Sequence, residues 1–98
     1  MVSCTEDMDG ISITRMLLKP GGFDEGLRLV REGIRSAETL MGMGADARAV
    51  ENVLKLPSEI DRSIVAIFEG RHPVPNHILD ALRTERKRIS TLKASLRR

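Results

Sequence analysis

Apolar residues recur along this chain at helical spacing. Leu27, Val30, Ile34, Ala37 and Met41 advance by steps of 3, 4, 3 and 4, which places one stripe along one helix face. Arg28, Arg31, Glu32, Arg35 and Glu38 fall on the other faces. The pattern predicts a helix over 23–42 with Asp24 as its N-cap and Glu25 in its first turn, ended by Gly42 and Gly44. Asp46 is expected to cap a second helix over 47–56, with Ala49, Val50, Val53, Leu54 and Leu56 apolar. Pro57 is expected to stop it, because a residue that precedes proline is pushed out of helical geometry. Ser58 then caps a third helix over 59–69, with Asp61 completing a partial capping box. Its apolar positions are Ile60, Ile64, Ile67 and Phe68, and Gly70 is the expected left-handed stop. Arg71-His72-Pro73-Val74-Pro75 reads as a stiff connector. Asn76 is expected to cap a last helix over 77–95, with Ile78, Leu82, Ile89, Leu92 and Leu96 apolar. That helix is expected to dock through 78–82 and project beyond.

The start of the chain is less regular. Ile11 and Ile13 alternate as in a strand, whereas Met16, Leu17 and Leu18 suit a helical turn. A short helix or an extended arm therefore precedes Pro20-Gly21-Gly22, which ends it. Residues 1–10 are polar and acidic and are expected to be flexible. The predicted fold is all-α: a compact bundle of about four to five helices with a helix-turn-helix-like core and a basic C-terminal helix. The expected division is a flexible 1–10, a helical domain over 11–82 and a basic helical extension over 83–98.

Composition supports this class. Aromatic residues make up 2% of the 98, so the core must be aliphatic, which favours packed helices over a β-sandwich. Scarce rings also argue against stacking platforms for single-stranded nucleic acid. The longest strongly apolar run, Ile64 to Phe68, is too short to span a bilayer, and no signal-peptide layout opens the chain. Cys4 is the single cysteine, which excludes an intrachain disulfide and fits a cytoplasmic location.

Charge changes the picture more. Net charge is +2, but it is unevenly placed. Residues 1–82 carry 9 Lys/Arg against 13 Asp/Glu, and residues 83–98 carry 7 Lys/Arg against Glu85 alone. This asymmetry of −4 against +6 points to a polyanion-binding segment or an acidic partner. A solvated helix end that complements the helix dipole would carry the same charges.

No catalytic constellation is present, and the chain is not expected to be an enzyme. His72 and His77 match no zinc spacing, Glu59 and Asp61 cannot converge on one reacting group, and the glycines form no phosphate-binding loop. No metal, cofactor or small-molecule ligand is expected, and no membrane association.

The remaining signal is the layout over 43–82. The string MGADARAVENVL resembles the LGxSxxxVxxxL pattern of small bacterial helix-turn-helix regulators. EGRHPVPNHILDAL resembles the close of phage Cro- and repressor-type domains. These resemblances imply a first helix that braces a second, whose N-terminal half enters the major groove. If the reading helix is 47–56, Arg48, Asn52 and Lys55 face DNA, where Arg48 can reach guanine and Asn52 adenine. If it is 59–69, Arg62 does, although Glu59, Asp61 and Glu69 repel phosphate. Arg83, Arg86, Lys87 and Arg88 supply further phosphate contacts. Ala37, Met43, Gly44, Asp46, Val50, Val53 and Leu56, followed by Ile64-Val65, also resemble the middle of FlhD-type activator subunits. That likeness implies a small helical protein that dimerises and acts on DNA with a partner subunit. The expectation is thus a regulator, or regulator subunit, of double-stranded DNA that works as a homodimer or with a partner subunit. Leu27, Val30, Ile34 and Met41 offer either core or an interface. The alternative is a helical adaptor, antiactivator or inhibitor that grips another protein.

Overall fold

The computed structural model describes residues 10–96, and the described residues form an all-α bundle of four helices. These are α1 (Gly10–Leu18), α2 (Gly22–Gly42), α3 (Ala47–Glu69) and α4 (Asn76–Leu96). The expected flexible segment 1–10 lies outside the described residues except for Gly10, which opens α1. The open question at 11–19 resolves to helix. Ile13 and Leu17, one turn apart, are fully buried. α1 and α4 both pack on α2 and α3 and, among the described residues, make no contact with each other.

α2 begins at Gly22, one residue before the expected start, and its cap lies three residues before Asp24. Gly21, in the left-handed region at φ 75°, is the N-cap, and its carbonyl accepts from Glu25 at 3.1 Å. Asp24 and Glu25 therefore stand in the first turn, where their charge favours the positive helix end. Asp24 does not cap. The end of α2 is as predicted: Gly44 has φ 80°, Gly44 N–H donates to Met41 O at 3.1 Å, and Ala45 N–H to Leu40 O at 3.0 Å. This crossed pair of bonds is the Schellman arrangement. Asp46 then caps α3 by accepting from Ala49 N–H at 2.9 Å.

The largest correction is at Pro57. The helices expected over 47–56 and 59–69 are one continuous helix of 23 residues with Pro57 inside it. An interior proline removes one backbone bond and crowds the preceding turn, a cost of about 3 kcal/mol. Two features offset it. Val50, Leu54, Pro57, Ile60, Ile64 and Ile67 are all buried and keep one helical phase across the proline. Pro57 also packs where α2 presents Gly33, at which a side-chain Cβ would collide with the proline ring. Ser58 is accordingly an interior residue and not a cap.

α2 and α3 lie side by side from the Met43–Asp46 turn back to Gly26 and Ile60. Gly33 meets Pro57, and a Cβ on Gly26 would stand 3.4 Å from Ile60. Both pairs are nearly equidistant from the Met43–Asp46 turn, as in an antiparallel αα-hairpin. A helix-turn-helix unit crosses at roughly 90–120° and touches mainly near its turn. The predicted turn is present, but its arms do not diverge, and the register that placed a separate reading helix at 59–69 has no counterpart.

At the end of α3 the left-handed residue is Arg71 (φ 68°), while Gly70 has φ −76°. Arg71 N–H donates to Phe68 O at 3.0 Å and His72 N–H to Ile67 O at 3.1 Å. The motif is the same as at Gly44, but a non-glycine residue takes the strained position. Val74 is buried, and the Pro75 carbonyl accepts from Ile78 and Leu79 as α4 begins.

α4 does not project beyond Leu82. Ile78, Leu82, Ile89 and Leu92 all belong to the one hydrophobic core, so the segment from Arg83 to Leu96 is part of the bundle and not an extension. Leu27, Val30 and Ile34 are likewise core, at 7%, 0% and 0% exposure, and Met41 packs against it partly buried. The interface reading of that stripe is thereby corrected: its side chains are consumed within the chain.

Candidate nucleic-acid interface

The site is built on α4 and the adjoining face of α3. α4 buries Ile78, Leu82, Glu85, Ile89 and Leu92. Glu85 thus occupies a core position of an otherwise apolar stripe. A buried carboxylate is costly unless paired, and two arginines pair it. Arg31 of α2 donates from Nε to Glu85 Oε2 at 3.2 Å, and Arg88 donates from Nη1 to Oε1 at 3.1 Å. Arg88 also donates to Glu38 of α2 at 2.9 Å. Its hydrogen bond to Glu38 raises the Arg88 guanidinium further above its usual range. Arg88 therefore belongs to a network that clamps α4 to α2, with its side chain still 42% exposed.

Withdrawing Glu85 leaves cations on the outer surface of α4 from Arg83 to Lys93. Arg83 and Lys87 are exposed and form no ion pair among the described residues. They flank a shallow concavity of about 540 Å³ with Arg86, Ser90 and Thr91. Arg86 crosses to α3, where its Nε and Nη2 donate to Asp61 Oδ2 and Oδ1 at 3.0 and 2.8 Å. This forked pair fixes both side chains and raises the Arg86 guanidinium above its usual range.

The sequence-predicted residues of α3 share one surface. Arg48, Lys55 and Arg62 recur at seven-residue steps, which puts them on one helix face, and all are exposed. Ser58 lies along the same row, and Asn52 is exposed beside it. Glu51 and Glu59 are interspersed, and Glu59 pairs with Arg62 at 3.4 Å. Because α3 is continuous, the two alternative reading surfaces become a single one. Between it and α4 runs a groove of about 220 Å³ lined by Ser58, Asp61, Arg62, Arg86, Ile89, Ser90 and Lys93.

The structure thus brings Arg62 of α3 into one groove with Arg86 and Lys93 of α4, and Arg86 also lines the α4 concavity with Arg83 and Lys87. Arg48, Asn52 and Lys55 are exposed on the half of α3 nearer the Met43–Asp46 turn. Lys93 and Ser90 were not anticipated. Their signal is the spacing Arg86, Ser90, Lys93, which continues one helix row. His77 instead pairs with Asp24 at 3.2 Å across the starts of α4 and α2. Among the described residues no group of three or more metal-ligating side chains converges, and no helix is long and apolar enough to cross a membrane.

No protein-family model, curated protein or solved structure matches this chain.

Proposed function

We propose that this chain is a DNA-binding regulator, or a subunit of one, that holds the phosphodiester backbone of duplex DNA across the face shared by α3 and α4. It acts in the cytoplasm, with a partner regulator subunit or a second copy. The observation that carries this reading is the burial of Glu85 at 4% exposure. It removes the one acid of residues 83–98 from the surface and leaves a row of cations. Phosphate contacts position a protein on DNA and carry no sequence information. Base contacts, where made, fall to Arg48 and Asn52 at the exposed start of α3.

The test is fluorescence anisotropy with duplexes of arbitrary sequence at several salt concentrations. Affinity should fall steeply with salt, and Arg83→Gln with Lys87→Gln should flatten the log–log slope by about 1.8, given ~0.9 per phosphate contact. No binding at ~50 mM salt, well below physiological screening, with or without a partner, excludes the reading.

A second reading, a helical adaptor or antiactivator, draws on exposed apolar side chains: Leu18 at 45%, Met43 at 75% and Phe68 at 50%. Phe68→Ser separates the two, since it should weaken a protein complex and leave duplex affinity unchanged.

A further inference from the structure

The groove between α3 and α4 has features that the general basicity of the face does not account for. It is small, about 220 Å³, below the ~300 Å³ at which pockets for organic ligands begin. Its walls bring three cations together, Arg62 from α3 with Arg86 and Lys93 from α4, against one acid in the lining and Glu59, which pairs with Arg62 at 3.4 Å. The lining acid, Asp61, accepts a hydrogen bond on each oxygen from Arg86, which leaves the remaining N–H groups of Arg86 for the groove. Lys93 has no ion-pair partner among the described residues.

The second observation is Ser58. It lines the groove, and its Oγ is closed off from solvent with no hydrogen-bond partner. A buried hydroxyl left unpaired is costly, and such groups in native structures call for a reason. Rotation about χ1 between staggered wells turns a serine hydroxyl to a new acceptor. Ser90 adds a second hydroxyl on the facing wall. Three cations and two hydroxyl donors around a space of this size suit one tetrahedral, multiply charged oxyanion better than a planar base or a sugar.

We infer that the α3–α4 groove is a seat for one phosphate group, held by Arg62, Arg86 and Lys93 with hydroxyl donation from Ser58 and Ser90. The identification of that group as a backbone phosphate rests on the nucleic-acid reading above. A free phosphate or a phosphomonoester offers the same chemistry.

Titration of the ¹⁵N-labelled full chain tests this. Inorganic phosphate is added at constant ionic strength, and the amides of Ser58, Arg62, Ser90 and Lys93 are followed. In a second arm a duplex of arbitrary sequence is added. Phosphate should give saturable shifts at these amides. Lys93→Gln should weaken it about tenfold, the scale of one charge-assisted hydrogen bond, with helicity unchanged. Ser58→Ala should also weaken it while leaving the urea midpoint level or higher. The Arg83→Gln, Lys87→Gln double variant should lose duplex affinity and keep the phosphate titration of the parent. Shifts that chloride reproduces at equal ionic strength, or that persist unaltered in both Lys93→Gln and Ser58→Ala, overturn the seat. Duplex binding that survives such a result leaves the nucleic-acid reading standing. Saturable phosphate binding without duplex binding supports the seat, assigns it to free phosphate or a phosphomonoester, and removes the nucleic-acid reading.

Discussion

Single residues carry much of what is distinctive in this bundle. Glu85 is a charge in a core position, held by Arg31 and Arg88, whose side chains are 51% and 42% exposed. Breaking a fully buried pair costs roughly 3–5 kcal/mol. Because both arginines reach solvent, Glu85→Ala should cost less, about 1–3 kcal/mol, by chemical denaturation. Glu85→Leu should recover most of that loss, since an apolar residue of similar size suits the stripe. A different strain sits at Arg71. A left-handed non-glycine residue costs about 1–2 kcal/mol, partly set against the greater freedom of glycine in the unfolded chain. Arg71→Gly should therefore raise stability by roughly 0.5–1 kcal/mol, read as a higher urea midpoint with an unchanged m-value. The reverse result would mean that Arg71 makes a compensating contact. The sequence displayed Gly70 as the obvious stop, but Gly70 N–H bonds Ala66 O inside the last helical turn. The crossed bonds therefore fall one residue later.

At the scale of elements, α3 is the instructive case. Its proline was read locally, as a breaker, and locally that reading was sound. The apolar phase told otherwise: Val50, Leu54, Pro57, Ile60, Ile64 and Ile67 form one buried stripe, with no shift of the kind a corner would introduce. That signal was legible in the chain. What was not legible is Gly33, which lies on α2 and makes room for the ring. Gly33→Ala should therefore destabilise, by about 1–3 kcal/mol as overpacking does, despite the better helix propensity of alanine. Pro57→Ala should leave helicity equal or higher, because the lost ring contacts, ~0.8 kcal/mol per methylene, are outweighed by the ~3 kcal/mol cost of an interior proline. A fall in helicity on circular dichroism would contradict the continuous helix.

For the whole molecule, the decisive fact is that α4 is both core and surface. Ile89 and Leu92 complete the hydrophobic core, while Arg83, Arg86 and Lys87 are exposed and Arg86 reaches across to α3. Deleting 83–98 removes the buried apolar side chains of Ile89 and Leu92, worth about 1.5–3 kcal/mol each, together with the Glu85 and Asp61 pairs. Domain stability at ~0.05–0.15 kcal/mol per residue is of the same order. The truncated chain should thus lose its cooperative unfolding transition, in contrast to the separable extension that the charge pattern suggested. Retention of a sharp thermal transition would show that residues 10–82 fold alone. The same arrangement couples folding to the proposed function, since the cations proposed to meet phosphate stand on the helix that closes the core.

Local physics in the sequence determined the helical class, the α2 stripe, the Gly44 and Asp46 turn and the concentration of positive charge after Leu82. Each rests on periodicity, capping or composition within a short window. Tertiary structure alone decided that Gly33 makes room for Pro57 inside α3, that the 27–41 stripe is internal, and that Glu85 is buried. It also decided that Arg62, Arg86 and Lys93 meet across one groove. Each of these depends on a pairing between residues far apart in the chain, Gly33 with Pro57, Arg31 with Glu85, Asp61 with Arg86. The periodicity of a single helix reports which residues turn inward, but not what they meet there.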